Sequence, residues 1–174
     1  MTGTSRDQDG SRQKATFAAG CFWGVEAAFR RIDGIVATKV GFMGGSTLNP
    51  TYREVCTGTT GHAEVVQVDF DPDRVSYERL LELFWSCHDP TTPDRQGPDI
   101  GTQYRSAVFF HTPEQEAAAT AMMRKLDASG RFDAPIVTAI VPAGPFYEAE
   151  EYHQRYLERR GMLDCVVPPG RDAT

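Results

Sequence analysis

The most restrictive feature of this chain is a change of apolar period at its centre. From Ala63 to Phe70 the residues Val66, Val68 and Phe70 alternate with Gln67 and Asp69, the two-residue repeat of a half-buried strand. Behind the N-cap residue Ser76, the positions Tyr77, Leu80, Leu81, Phe84, Cys87 and His88 then fall on one helical stripe that stops before Asp89-Pro90. A strand with one apolar face and a helix with one apolar stripe must cover each other, so helices pack on a sheet. The flanking sequence repeats the pattern. Residues 15–19 read as a strand running through Gly20 into a helix with Phe22, Val25, Phe29 and Ile32 on one face, and residues 35–42, bounded by glycines, as a second strand. Asn49-Pro50 starts a turn ahead of a short helical stretch around 52–56. Beyond the centre come a strand at 105–111, an Ala-rich helix opened by the capping-box pattern Thr112-Pro113-Glu114-Gln115, a strand at 136–141 and a last helix at 148–160. The order β-α-β-β-α-β-α-β-α predicts a two-layer α+β sandwich with a ferredoxin-like, split βαβ core.

The 174 residues suffice for one such unit. Residues 1–13 and 161–174 lack periodicity and read as tails around a single domain at 14–160. Lys and Arg number 18 against 24 Asp and Glu, a net charge of −6 without a basic patch, which argues against nucleic-acid binding. No apolar run nears the ~20 residues of a bilayer crossing. The polar N-terminal stretch has no secretion signal, so the expected compartment is the reducing cytoplasm, with the protein working as a monomer. The four cysteines, Cys21, Cys56, Cys87 and Cys165, include no pair at zinc-knuckle or thioredoxin spacing and are expected to be free thiols. The stretch 89–104 reads as a long structureless loop, and loops of that kind inside a compact domain are functional or disordered.

Cys21 follows a Gly turn and opens a helix, where unpaired N–H groups and the positive end of the dipole favour a thiolate. A small core residue is the competing reading. Phe22 and Trp23 point in different directions on a helix, which leaves at least one ring as a pocket wall beside the thiol. Glu64 shares the apolar face of its strand, where desolvation raises a carboxyl pKa and makes a general acid; the alternative is a strand-end carboxylate that reaches solvent. His62 shares that face and could pair with Cys21 for thiol-acyl chemistry, or be structural. Tyr52 and Tyr104 lie in or near loops and can donate to a substrate oxygen, and Asp99 by itself is a turn residue.

The runs Gly20-Cys21-Phe22-Trp23-Gly24-Val25-Glu26, Asn49-Pro50-Thr51-Tyr52-Arg53-Glu54-Val55-Cys56, Thr60-Gly61-His62-Ala63-Glu64 and Gly101-Thr102-Gln103-Tyr104-Arg105-Ser106 together resemble the methionine sulfoxide reductase A family, with His88-Asp89-Pro90 and Arg95-Gln96-Gly97 between them. The resemblance covers residues 17–157 and implies a ferredoxin-like core. It implies further that Cys21 attacks the sulfur of methionine sulfoxide, free or in proteins and in its S epimer, releasing methionine and becoming a sulfenic acid. Phe22 and Trp23 would hold the S-methyl group, Glu64 would protonate the sulfoxide oxygen, Tyr52 and Tyr104 would bind it, and Asp99 would fix the polar side of the site. No metal or organic cofactor is implied. Cys165 is expected to be the resolving thiol, with Cys56 its competitor and thioredoxin the reductant by resemblance. Two departures stand out: Phe42 where relatives often have tyrosine, and a Gly161-Met162-Leu163-Asp164-Cys165 stretch where many have a fuller Asn-Pro-x-Gly-Tyr. The competing functions are a cysteine hydrolase or acyltransferase using Cys21 and His62, and a non-catalytic sulfoxide-peptide-binding module.

Overall fold

A computed structural model describes residues 12–161, so Cys165 lies outside the described residues. In chain order the elements are β1 (Gln13–Ala19), α1 (Phe22–Arg30), β2 (Ile35–Met43), α2 (Tyr52–Cys56), β3 (Ala63–Phe70), α3 (Tyr77–Ser86), β4 (Arg95–Gln96) and β5 (Asp99–Ile100). A 3-10 turn at Thr102–Tyr104 leads to β6 (Ser106–Phe110), α4 (Pro113–Ala128), β7 (Ala139–Pro142) and β8 (Tyr147–Glu148), and a second at Glu151–His153 precedes α5 (Tyr156–Arg159). Six strands form one sheet in the order β7-β6-β1-β3-β2-β8, antiparallel except for the β6–β7 pair. The fold is therefore mixed α/β on a mostly antiparallel sheet. β1 begins at Gln13, which pairs with Phe70, so the sheet takes up the last residue of the expected N-terminal tail.

Phe17, Val66, Val68 and Phe70 of the sheet pack with Phe29 of α1, with Leu80, Leu81 and Phe84 of α3, and with Ala119 of α4 in one core. Phe17 stacks between Phe29 and Phe84 at 5.0 and 5.2 Å. Ser76 caps α3 as its sequence predicts, accepting the Arg79 N–H at 3.1 Å. At α4 only half of the capping box forms: Thr112 accepts from the Gln115 N–H, but the Gln115 side chain turns to His111 N–H and the Lys14 carbonyl.

Several expectations are corrected by tertiary contacts. The first half of β3 is buried on both faces, because Val65 and Ala63 join Ala18, Met43, Ala107 and Phe109 in a second core against Ala143 and Phe146, while Gln67 and Asp69 stay partly exposed as the alternation predicts. The strand expected at 136–141 starts only at Ala139, since the Ile136 N–H goes to Asp127 and the Val137 N–H to the Pro90 carbonyl. The expected helix at 148–160 is mostly absent. Its first residue, Glu148, and the preceding Tyr147 pair instead with β2, opposite Gly41 and Phe42. A Cβ on Gly41 would meet the Tyr147 carbonyl at 2.3 Å, so glycine is what lets β8 close on the sheet. Further along, the Gln154 side chain bonds both the N–H and the carbonyl of Val40, and Arg155 takes a left-handed conformation (φ 52°) with its N–H on Glu26. The Ala149 N–H goes to the Val40 carbonyl and the Ala149 carbonyl accepts from the Gln154 amide, so with Arg155 the backbone of this segment is paired outside a helix. The stretch 89–104 is also not structureless. β4 and β5 form a hairpin, and the Gln96 side chain pins it to the Asp89 N–H and carbonyl, both at 2.8 Å.

Candidate active site

The site is built where β1 ends. Gly20 adopts φ +97°, and a Cβ there would lie 2.8 Å from Gln96, so the glycine both turns the chain and seats the β4–β5 hairpin. Cys21 follows as the N-cap residue of α1. Beneath it β3 presents Glu64, opposite Phe42 of β2 and only 1% exposed, and one carboxyl oxygen accepts the Phe22 N–H at 3.1 Å. The other oxygen is buried with no partner among the described residues.

Burial, opposed by that N–H and reinforced by the charge of Asp99, pushes the Glu64 pKa up to about 8, so the carboxyl holds its proton at neutral pH. The expected stabilised thiolate is not found in the resting site. Burial, the Glu64 charge and Asp99 push Cys21 up to about 12, outweighing the N–H groups of Trp23 and Gly24 that act the other way. The helix terminus is overruled because the thiol is largely out of water.

Phe22 is fully buried, with its ring 5.8 Å from Phe42 and 6.1 Å from Tyr52. Trp23, half-buried, is the ring of the pair that borders open space. It stacks on Tyr156 at 3.9 Å and donates its indole N–H to His153 Nδ1 at 2.9 Å. Tyr52 is the first residue of α2, which opens with a reciprocal capping box between Thr51 and Glu54. Its backbone N–H goes to Glu150 and its hydroxyl pairs with the Cys56 thiol. Tyr104 lies within electrostatic reach of Glu64, Cys56, Asp99 and Cys21, and burial holds both tyrosine hydroxyls well above the usual phenol range. The structure thus gathers Cys21, Phe22, Trp23, Tyr52, Glu64, Asp99 and Tyr104 around one point, from elements far apart in the chain.

His62 is not a partner for the thiol. Its Nδ1 accepts the Gly45 N–H at 2.9 Å and its Nε2–H donates to the Thr47 carbonyl at 2.7 Å, so neither nitrogen can take a proton from Cys21. Among the described residues no group of three or more His, Cys, Asp or Glu side chains could hold a metal ion. No site role follows from the sequence for Glu150, His153 and Tyr156, of which only Tyr156 lies in an α-helix in the structure. The available signal was the run Glu150-Glu151-Tyr152-His153-Gln154, which has no apolar stripe and so is a poor match to a packed helix.

The chain matches the family Peptide methionine sulfoxide reductase over residues 13–172. It is 67% identical over 155 residues to the peptide methionine sulfoxide reductase MsrA of Methanoculleus marisnigri, covering 89% of this chain and 94% of that one. Among solved structures it is similar to Mxr1 of Saccharomyces cerevisiae in reduced form, with a TM-score of 0.82 and 38% identity over 87% of each chain. It is also similar to Mxr1 in complex with Trx2, with a TM-score of 0.61 and 29% identity over 84% of this chain and 86% of that one. With a cysteine at a helix start over a protonated carboxyl, and a match from first strand to last helix, the chain belongs to the peptide methionine sulfoxide reductase A family, the thiol-dependent enzymes that reduce methionine sulfoxide.

Proposed function

We propose that Cys21 is the nucleophile and Glu64 the proton carrier of this reduction. Glu64 gives its proton to the sulfoxide oxygen, which makes the sulfur electrophilic, and then takes the proton of the Cys21 thiol as the S–S contact forms. The oxygen passes to Cys21: the substrate sulfur is reduced by two electrons to methionine, the cysteine sulfur is oxidised to the sulfenic acid, and Glu64 ends protonated as it began. The observation that carries this reading is the geometry of the two acids. Glu64 is buried against the start of α1, next to the N-cap thiol of Cys21, with one oxygen on the Phe22 N–H and the other unpartnered among the described residues. Burial raises the pKa of both, so each keeps its proton until substrate arrives. Tyr52 and Tyr104 donate to the sulfoxide oxygen, Asp99 orders the polar side, and Phe22 and Trp23 enclose the S-methyl group. A sulfur held by methyl, oxygen and attacking thiol at three fixed points admits one hand only, in this reading the S epimer, free or in an oxidised protein under repair.

Cys165 then condenses with the sulfenic acid, forming the disulfide and releasing water, and thioredoxin reduces it. The yeast relative's complex with Trx2 supports that reductant. Cys87, buried at the end of α3, would have to leave the core to compete. Free thiols at Cys21, Cys56 and Cys87 suit a reducing cytoplasm, and we take the working unit to be a monomer built on one catalytic domain. The strand order β6-β1-β3-β2, with α1 and α3 as its two crossovers, supports the ferredoxin-like core. The test is incubation of the protein with separated sulfoxide epimers and dithiothreitol, assayed for methionine; turnover of the R epimer alone refutes the reading. One equivalent of sulfoxide without reductant, followed by peptide mass mapping, is expected to yield a Cys21–Cys165 bridge, and a Cys21–Cys56 bridge would reassign the resolving role.

A further inference from the structure

The side chain that orients the half-buried Trp23 wall comes from a segment with no assigned part in the reaction. His153 is completely buried, with its ring 4.2 Å from Tyr52, 5.4 Å from Phe22 and 4.0 Å from Tyr152. Its Nδ1 accepts the indole N–H of Trp23, so the proton of the neutral ring sits on Nε2, which is buried without a partner among the described residues. An unpaired buried donor destabilises a fold. Packing alone would be served by phenylalanine, which fills the space with no orphan group. What imidazole adds is the acceptor for the indole.

We propose that His153 is a positioning residue for the reduction: by holding the Trp23 indole N–H it fixes how the ring is turned within its plane, and so which edge it presents to the S-methyl group of the sulfoxide. The inference rests on the placement of Trp23 in the substrate pocket. Tyr156 stacks on the indole with an interplanar angle of 11°, but stacking alone leaves the ring able to turn within its own plane. The bond at Nε1 removes that freedom. The same segment steadies the opposite wall, since Glu150, three residues before His153, accepts the Tyr52 N–H with both oxygens at 3.2 and 3.3 Å.

The test compares His153→Phe, which keeps a ring and loses the acceptor, with His153→Asn, whose amide oxygen stands near the place of Nδ1. His153→Phe is expected to raise KM for a methionine sulfoxide peptide about tenfold, the size of one oriented hydrogen bond, with a smaller change in kcat. His153→Asn is expected to return KM to within about threefold of the parent. In a Trp23→Phe background His153→Phe is expected to add nothing, because the residue through which it acts is gone. The chain has two tryptophans, so Trp85→Phe isolates the emission of Trp23. In that background His153→Phe is expected to shift the emission and lower its anisotropy, and His153→Asn to restore both. If His153→Phe does not fold, His153→Leu serves as the acceptor-free variant. An unchanged KM in the acceptor-free variant, an equal loss with and without Trp23, or a His153→Asn protein as impaired as His153→Phe overturns the proposal. A parent protein that reduces no sulfoxide overturns the assignment of the reaction instead, and the Trp23 emission still decides whether His153 orients the indole.

Discussion

Replacing Glu64 by glutamine separates what this carboxyl does for chemistry from what it does to the fold. The side chain is 1% exposed and its pKa rises from 4.5 to about 8 on burial, so between those values the folded chain holds a proton that the unfolded chain has released. Stability contributed by this group is therefore full below pH 4.5 and is lost as pH rises toward 8. At 1.36 kcal/mol per unit, the loss reaches about 5 kcal/mol above pH 8 and about 3 kcal/mol at pH 7. Glutamine has the same shape, can accept the Phe22 N–H and does not titrate. Glu64→Gln is thus expected to be more stable than the parent at neutral pH, by a margin that grows from pH 4.5 to 8 and then levels off. Turnover is expected to fall by about 10²–10⁴ with a flattened alkaline limb, since the amide carries no transferable proton. The assay is urea denaturation of both proteins at half-unit steps from pH 4 to 9, with peptide sulfoxide kinetics on the same samples. Parallel stability curves, or a parent that gains on the variant as pH rises, would show that the carboxyl is not held protonated by burial.

Cys21→Ser is expected to fold normally and to retain less than about 1% of the reductase activity, because an alcohol is a far weaker nucleophile toward sulfur; activity above that level in a thiol-free preparation refutes the assignment. Gly20→Ala is expected to lose about 1–3 kcal/mol of stability and to raise KM, because a side chain at φ +97° is strained and its Cβ presses on the Gln96 that carries the Asp99 hairpin; denaturation midpoints and kinetics check both. His88, buried with Nδ1–H on the Phe84 carbonyl and Nε2 accepting from Ser106, has its pKa lowered from 6.5 to about 4. The unfolded chain takes up that proton first, so up to about 3 kcal/mol of stability is lost as pH falls from 6.5 to 4. A non-titrating His88→Gln variant, less stable at pH 7, should close on the parent over that range.

The sequence by itself determined most of the secondary structure and much of the site, wherever the controlling forces are local. Ser76 caps α3, Gly20 turns the chain into α1, and the alternation around Val66 and Val68 marks β3, because capping bonds, backbone dihedrals and side-chain period act within a few residues. The same alternation put Glu64 on the apolar side, and its desolvation follows from that placement. The resemblance of four short runs then assembled residues that no periodicity could bring together. Only the tertiary structure decided the state of Cys21, since a helix start favours the thiolate while burial beneath the hairpin and over Glu64 favours the thiol, and the second effect depends on distant parts of the chain. It also decided the course of residues 148–155. Local propensity permits a helix there, but Gly41, Val40, Glu26, Tyr52 and Trp23 offer backbone and side-chain partners that a regular helix would leave unpaired. A segment with that many long-range hydrogen bonds takes its conformation from what it touches, and here it touches the walls of the active site.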